Sequence, residues 1–240
     1  RMKVVRTHDK KVYLSEKRKY KPKEYFKFIC SISEDFFTKI EKPKILDIGC
    51  ATGDFLYYMS MKYKNADFTG MDVVPELLEV AKKEVINSNF ILGDIQDNTK
   101  LPENKFDFVF MLGVHGLFDS CSPWIDNICK LLNKKGRAFI FGTFNDGDID
   151  VISRIKASGK DMPYEIGWNT LSKKTIALYL DNLNMHYSFR DFDIPIDIDK
   201  NEKDPMRTFT LKLDSGKRLI VNGAGMIRSL KLLTIGNKEN

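Results

Sequence analysis

The feature that most constrains the fold of this chain is the stretch ILDIGCATGDF, residues 45–55, in which a short apolar run leads into two closely spaced glycines. An apolar run of this length followed by a helical pattern is typical of a buried strand that turns directly into a helix. Gly49 and Gly53 let the backbone turn sharply and approach a ligand, because neither residue carries a Cβ atom. The N–H groups there and at the start of the next helix favour an anionic group. The turn alone does not decide the ligand, since nicotinamide and flavin proteins use one too.

Strand and helix patterns alternate through the first part of the chain. Strands are predicted over residues 44–50, 66–72, 89–94, 106–112 and 138–144. Helices are predicted between them over residues 54–64, 75–85 and 122–133. This alternation indicates βαβ units, and therefore an α/β fold, Rossmann-like and doubly wound around a mostly parallel sheet. Later come a helix near residues 172–183 and strand patterns over residues 187–193, 208–213, 218–221 and 230–235.

A helical arm is predicted ahead of the main fold. Pro22 suits the first turn of a helix. The residues that then repeat at helical spacing are Tyr25, Ile29, Ile32, Phe36 and Ile40. We therefore divide the chain into an N-terminal arm or lid over residues 1–40 and a main domain over residues 41–240. Two insertions at about 145–170 and 195–226 are expected to cover the substrate, and Asp214-Ser215-Gly216 predicts a hairpin turn in the second.

The positive charge of the chain is concentrated in this arm. The net charge is +6, and residues 1–44 contain 14 Lys and Arg against 6 Asp and Glu. A basic arm suits phosphate groups on a substrate or on nucleic acid, and it equally suits a solvated surface, so both interpretations stay open. Nucleic acid is not favoured, because Tyr13, Tyr20 and Tyr25 do not follow the pattern of a stacking surface.

Composition excludes several classes of protein. Hydrophobic residues make up 42% of the 240 residues, which is enough for a sizeable core and too many for a disordered chain. No apolar run approaches the roughly 20 residues of a membrane-spanning helix, and no apolar signal-peptide segment follows the basic start. The four cysteines show no CxxC spacing. We therefore expect free thiols, no metal site, no membrane span and a cytoplasmic location.

Acidic residues end the second and third predicted strands. The dinucleotide fingerprint Gly-x-Gly-x-x-Gly would place its glycines at Gly49, Ala51 and Asp54, so the third glycine is missing and a pyrophosphate site is disfavoured. Asp72 stands where a carboxylate can accept both hydroxyls of a ribose. Asp94 stands where it can accept from an adenine amino group. All these features fall at the carboxyl edge of one sheet, where open α/β sheets bind ligands.

Four segments of the chain, taken in sequence order, resemble the motifs of one known family. The segments ILDIGCATGDF, TGMDVV, LGDIQD and KKGRAFIF resemble the ordered motifs of class I S-adenosylmethionine-dependent methyltransferases, over about residues 40–145. The resemblance implies S-adenosylmethionine as cofactor. It also implies a seven-stranded sheet with an antiparallel last strand, which residues 230–235 would supply.

The resemblance also implies roles for particular residues. Asp47 and the turn of Gly49, Cys50, Ala51 and Gly53 would face the methionine end of the cofactor. The residues that would contact the rest of it are Asp72 and Val73 at the ribose, Asp94 and Ile95 at the adenine, and Leu112 and Gly113 on the methyl side.

Catalysis and the acceptor depend on residues outside these motifs. His115, three residues past the fourth predicted strand, is the best-placed candidate for a general base, and Asp119 and Asp146 are weaker ones. A purely structural role for His115 stays open. Trp168 and Arg207 are candidate contacts for a polar or anionic substrate.

We expect methyl transfer to O or N of a small polar acceptor, with a sugar or sugar nucleotide as one candidate. The main alternative is an RNA or protein methyltransferase that uses the basic arm. A cofactor-binding relative without turnover and a nicotinamide oxidoreductase are the remaining alternatives.

Overall fold

The computed structural model describes residues 6–16, 18–159 and 161–238. The α-helices of these residues are α1 (Thr7–Ser15), α2 (Glu24–Phe37), α3 (Asp54–Lys62), α4 (Pro75–Glu84), α5 (Ser122–Leu131) and α6 (Lys173–Asn182). The strands are β1 (Lys44–Ile48), β2 (Asp67–Asp72), β3 (Asn89–Leu92), β4 (Phe106–Leu112), β5 (Leu132–Thr143), β6 (Arg154–Ile155), β7 (Glu165–Ile166), β8 (Met185–Asp191), β9 (Phe209–Lys212), β10 (Arg218–Val221) and β11 (Leu230–Asn237). Short 3-10 helices span Asn98–Lys100 and His115–Leu117.

Seven of these strands form one sheet with the order β3-β2-β1-β4-β5-β11-β8. The first five strands along the chain pair in parallel, whereas β11 pairs antiparallel with both β5 and β8. This confirms the predicted Rossmann-like sheet with an antiparallel last strand. The strand order reverses between β1 and β4, and in open α/β sheets such a reversal opens a crevice at the carboxyl ends of the strands.

Both faces of the sheet are buried, which explains why its central strands read as continuous apolar runs. On the face covered by α2 and α3, Phe37 stacks on Phe108 with ring centroids 4.0 Å apart. On the opposite face, Trp124 of α5 is fully buried, in the same apolar cluster as Val109 and Met111. Alternate residues of β4 thus enter different cores, as strand geometry requires. Packing on both sides holds the carboxyl ends of β1, β2 and β4 at one edge.

The structure differs from the sequence-based prediction in three places. Helix α1 was not predicted, because THDKKVYLS carries no apolar stripe of helical period. Strand β5 begins at Leu132 instead of Ala138, and its register with β4 shifts between Phe106 and Phe108. The short β6–β7 pair was not predicted either. The hairpin of β9 and β10 around Gly216 is confirmed.

Candidate cofactor-binding site

The turn between β1 and α3 adopts a left-handed backbone at three positions. The φ angle is 72° at Gly49, 48° at Ala51 and 81° at Gly53. The N–H of Gly49 donates to the carbonyl of Met71 on β2 at 2.7 Å. A Cβ atom at Gly49 would lie only 2.3 Å from Cγ2 of Val114. Glycine is therefore required at this position both for its conformation and for its close approach to the loop after β4.

Asp72 at the end of β2 is fixed by the backbone around it. One carboxylate oxygen accepts the N–H of Ala51 and the other accepts the N–H of Val74, each at 2.9 Å. The side chain is buried, and burial raises the pKa of Asp72 although its backbone donors act in the opposite direction. A carboxylate oxygen accepts about two hydrogen bonds. The N–H of Val73 also acts on this carboxylate, so about one of its four acceptor positions is left for a ligand hydroxyl.

Asp94 belongs to the loop after β3. Its carboxylate accepts the N–H of Gln96 at 2.9 Å. The neighbouring Ile95 is buried, and its carbonyl accepts the side-chain amide of Asn127 on α5 at 2.7 Å. The loop is thereby tied to the helix that packs beneath it, so the position of Asp94 is set by the core.

These elements surround a cavity of about 690 Å³ that is partly open to solvent. The predicted cofactor residues that line it are Gly49, Ala51, Asp72, Val73, Asp94, Ile95, Leu112 and Gly113. A Cβ atom at Gly113 would meet no atom within 4 Å, so open space lies against the backbone there. The remaining lining residues are Arg6, Asp9, Tyr13, Ile48, Val74, Leu77, Gly93, Val114, Leu117 and Phe118.

Asp47, Cys50 and Gly53 do not line this cavity, although the sequence predicts them as cofactor contacts. Asp47 is buried, and burial together with the charge of Asp72 raises its pKa well above the usual range. Cys50 is buried too, and burial likewise raises the pKa of its thiol. A Cβ atom at Gly53 would lie 2.8 Å from Cγ2 of Val85. These residues support the turn from its buried side, and their contact with the cofactor stays a prediction.

Helix α1 and the residue before it form one wall of the cavity, through Arg6, Asp9 and Tyr13. Lys10 forms an ion pair with Glu76 of α4 at 2.6 Å, which ties α1 to α4. The sequence placed these residues in the predicted arm or lid but gave no signal that Arg6 or Asp9 would reach the cavity. Their place in the site depends on tertiary contacts alone.

The two predicted substrate residues both contact this N-terminal arm. The guanidinium of Arg6 lies 4.4 Å from the ring centroid of Trp168 and donates to the carbonyl of Gly167 at 2.7 Å. Arg207 forms an ion pair with Glu16, directly after α1. Neither Trp168 nor Arg207 lines the cavity, and in this structure they anchor the arm. Their contact with an acceptor stays a prediction.

His115, the predicted base, is only 2% exposed. Its Nε2 lies 3.0 Å from the carbonyl oxygen of Thr143, and its ring stacks on Phe144 with centroids 4.4 Å apart. Burial lowers the pKa of His115 to about 4, so the ring is neutral near neutral pH and Nε2 donates its proton to the carbonyl. Nδ1 has no hydrogen-bond partner in the described part of the chain. The structure does not bring His115 to the cavity, and its catalytic role stays a prediction.

The weaker candidates for a base are held in ion pairs. Asp119 pairs with Arg154 at 2.6 Å. Asp146 pairs with Lys173 at 2.5 Å and with Lys231 at 3.0 Å. Neither aspartate lines the cavity.

Residues 6–16, 18–159 and 161–238 contain neither a metal-binding cluster nor a membrane-spanning helix. No group of three or more His, Cys, Asp and Glu side chains there is placed to hold a metal ion. No helix in these ranges combines the length and the apolar character needed to cross a membrane. The four cysteines are free.

Several curated proteins with similar sequences are named as methyltransferases. The chain is 30% identical over 121 residues to a malonyl-[acyl-carrier protein] O-methyltransferase of Priestia megaterium, covering 50% of this chain and 42% of that protein. It is 26% identical over 106 residues to a demethylmenaquinone methyltransferase of Thermotoga maritima, covering 44% of this chain and 46% of that protein. The chain thus spans less than half the length of these two relatives.

Solved structures share the fold over nearly the whole chain. The plantazolicin methyltransferase BpumL, solved with a desmethyl analogue and SAH, superposes with a TM-score of 0.58 at 17% identity, covering 97% of this chain and 92% of that one. An S-adenosylmethionine-dependent methyltransferase from Clostridium acetobutylicum has a TM-score of 0.58 at 12% identity, covering 97% and 96%. Residues 41–193, more than half of the chain, match the family described as a methyltransferase domain. The chain therefore belongs to the methyltransferase domain family, and its fold is that of the class I S-adenosylmethionine-dependent methyltransferases that the sequence motifs predicted.

Proposed function

We propose that this chain binds S-adenosylmethionine in the cavity at the carboxyl edge of the sheet and transfers the methyl group to an oxygen or nitrogen atom of a small polar acceptor. The observation that carries the proposal is that the glycine turn, Asp72, Asp94 and Gly113 all line one cavity. That cavity lies where the strand order reverses, which is the ligand position of open α/β sheets.

The chemical groups of the cavity suit this cofactor. Asp72 keeps an acceptor position on its carboxylate beside the backbone donors that fix it, which suits a hydroxyl of a ribose. Asp94 offers a carboxylate to the adenine amino group, beside the apolar side chain of Ile95. The backbone of Gly113 borders open space, so a reacting group can approach it closely.

The chain's main task in this reaction is alignment. Bound S-adenosylmethionine supplies a methyl group on a sulfonium centre, which is already a strong electrophile. Holding donor and acceptor in line contributes ~7–11 kcal/mol in well-oriented reactions. The ends of β1, β2 and β4 give rigid support for that alignment, because both faces of the sheet are packed. The wall formed by Arg6, Asp9 and Tyr13 limits the access of water.

The names of the relatives support a small or carrier-bound acceptor. Two curated relatives are named for malonyl-[acyl-carrier protein] and demethylmenaquinone, and one solved relative is named for plantazolicin. A sugar or sugar nucleotide, the candidate from the sequence, is one member of the same broad class of small polar acceptors.

The alternative of an RNA or protein acceptor bound by the arm has less support. Several basic residues of the arm are paired with carboxylates of the same chain. Lys10 pairs with Glu76 at 2.6 Å, and Lys19 pairs with Glu84 at 2.8 Å, both on α4. Ion pairs of this kind neutralise part of the positive charge that a polyanion would need.

Transfer of tritium from methyl-labelled S-adenosylmethionine tests the proposal, with panels of small hydroxyl, carboxyl and amine acceptors and with RNA. We expect label on at least one small acceptor, and clearly slower labelling by Asp72→Asn when the cofactor concentration is below the wild-type dissociation constant. Salt-sensitive labelling of RNA that is lost in the double variant Lys11→Gln, Lys21→Gln would favour the alternative instead, because both lysines are exposed on the arm and outside the cavity.

A further inference from the structure

Arg228 lies between the β9–β10 hairpin and β11, at the carboxyl edge of the sheet. Its backbone N–H donates to the carbonyl of Ile220 on β10 at 2.7 Å. Its Nε donates to the side-chain hydroxyl of Thr143, the last residue of β5, at 3.0 Å. These two hydrogen bonds fix the backbone and the guanidinium of Arg228 beside the end of β5.

The charge of Arg228 has no partner in the described part of the chain. No carboxylate there forms an ion pair with it, and Thr143 uses one of the five N–H donors of an arginine. Burial and the nearby charge of Arg6 lower the pKa of Arg228 to about 10, so the guanidinium stays charged near neutral pH. Asp9, whose charge acts on Arg228, is already paired with Arg6 at 2.6 Å. The side chain is half-buried, so its remaining N–H groups are open to a ligand anion, which would supply the missing counter-charge.

Two neighbouring tyrosines do not supply the missing negative charge. Tyr13 of α1 lines the cavity, and Tyr25 stacks on Phe141 of β5 with centroids 4.7 Å apart. Both tyrosines lie within electrostatic range of Arg228. Burial raises the pKa of both hydroxyls, which keeps them neutral. These neutral hydroxyls therefore leave the positive charge of Arg228 uncompensated.

The position of Thr143 places this charge close to the proposed methyl side of the cofactor. The N–H of Gly113 donates to the carbonyl of Phe141 at 2.7 Å, where the end of β4 meets β5. Thr143 is two residues further along β5, which corresponds to about 7 Å at the rise of a strand. A small molecule could therefore reach from an anionic group bound by Arg228 to the backbone of Gly113.

We infer that Arg228 binds an anionic group, a carboxylate or a phosphate, on the methyl acceptor. The inference rests on the proposed function: Arg228 does not itself line that cavity, but it is within electrostatic range of Arg6 and Tyr13, which do. An oxyanion would accept the N–H groups that Thr143 leaves free, with the fork geometry that favours arginine over lysine. It would also supply a counter-charge to the neighbouring guanidinium groups of Arg6 and Arg228.

Calorimetry on the full chain saturated with S-adenosylhomocysteine tests the inference, with malonate, inorganic phosphate and neutral malonamide as the three titrants. The variant is Arg228→Gln, and the matched control is Arg190→Gln, which removes the same charge from an exposed position on β8. We expect one of the two anions to bind the wild type and the control with the same affinity. The same anion should bind Arg228→Gln about tenfold or more weakly, and malonamide should bind none of the proteins. Binding of malonate identifies a carboxylate acceptor, and binding of phosphate identifies a phosphate ester.

Equal anion affinity in the wild type and Arg228→Gln would overturn the inference, as would the absence of anion binding in a protein that binds S-adenosylhomocysteine. Either result leaves the proposed function intact. A wild-type protein that binds no S-adenosylhomocysteine refutes the proposed function and this inference with it. If Arg228→Gln does not fold, Thr143→Val removes only the bond that orients the guanidinium and should weaken the same anion by a smaller factor.

Discussion

Replacing Gly113 by alanine separates the cost of backbone strain from the cost of filling the cavity. Gly113 has a φ angle of 77°, and Gly216 in the β9–β10 turn has one of 82°. At both positions a Cβ atom would meet no atom within 4 Å. A left-handed conformation costs an L-residue roughly 1–2 kcal/mol. Gly113→Ala and Gly216→Ala should therefore lower the free energy of unfolding by a similar amount.

Of these two glycines, Gly113 lines the proposed cofactor cavity and Gly216 does not. The open space at its missing Cβ is then space that the cofactor occupies, and overfilling a packed site costs ~1–3 kcal/mol. This corresponds to a dissociation constant about 5 to 150 times higher. Gly113→Ala should weaken the binding of S-adenosylhomocysteine by such a factor, and Gly216→Ala should leave it unchanged.

Urea unfolding followed by fluorescence measures the first effect, and calorimetric titration with S-adenosylhomocysteine measures the second. The titration is run well below the melting temperature of both variants, so that each is fully folded. Wild-type affinity in Gly113→Ala would refute the reasoning, and so would an equal loss of affinity in Gly216→Ala.

Three further predictions concern other residues. Asp72→Asn should weaken S-adenosylhomocysteine about tenfold or more in calorimetry, whereas Asp67→Asn at the other end of β2 should not, and equal affinities would contradict the role proposed for Asp72. Burial favours the neutral form of Glu16, but hydrogen bonds from Arg18 and other cations outweigh it and lower its pKa from 4.5 to about 2. The stability that Glu16 contributes is therefore present above pH 4.5 and lost as the pH falls toward 2. The free energy of unfolding in urea should depend more steeply on pH in this window for the wild type than for Glu16→Gln, and parallel curves would count against this role of Glu16. His115→Phe should lower the free energy of unfolding by about 1–3 kcal/mol, because a buried carbonyl loses its donor, and unchanged stability with reduced turnover would point to catalysis instead.

The fold was largely predictable because its signals are local. The strands Lys44–Ile48 and Phe106–Leu112 are short apolar runs buried on both faces, and such runs are recognised without knowledge of their neighbours. Helix α1 has no such signal. Its start is fixed by bonds such as that from the Thr7 hydroxyl to Glu165, which is 158 positions away in the chain.

The distinction between local and long-range signals also separates the proposed cofactor residues from the proposed acceptor residue. Asp72 ends β2 and Asp94 lies two residues past the end of β3, so their shared edge follows from the strand order that the alternating pattern predicts. Arg228 gave no signal, because its position depends on a hairpin that returns to Thr143 across 85 positions of the chain. The cofactor residues were therefore accessible from sequence spacing, whereas the proposed acceptor residue required the tertiary structure.

The central claim is that the glycine turn, Asp72 and Asp94 hold S-adenosylmethionine and not a dinucleotide. Calorimetric titration of the full chain with S-adenosylhomocysteine, S-adenosylmethionine and NAD tests this claim most directly. We predict saturable binding of the first two ligands at one site and no binding of NAD. Binding of NAD without binding of either S-adenosyl compound would contradict the account.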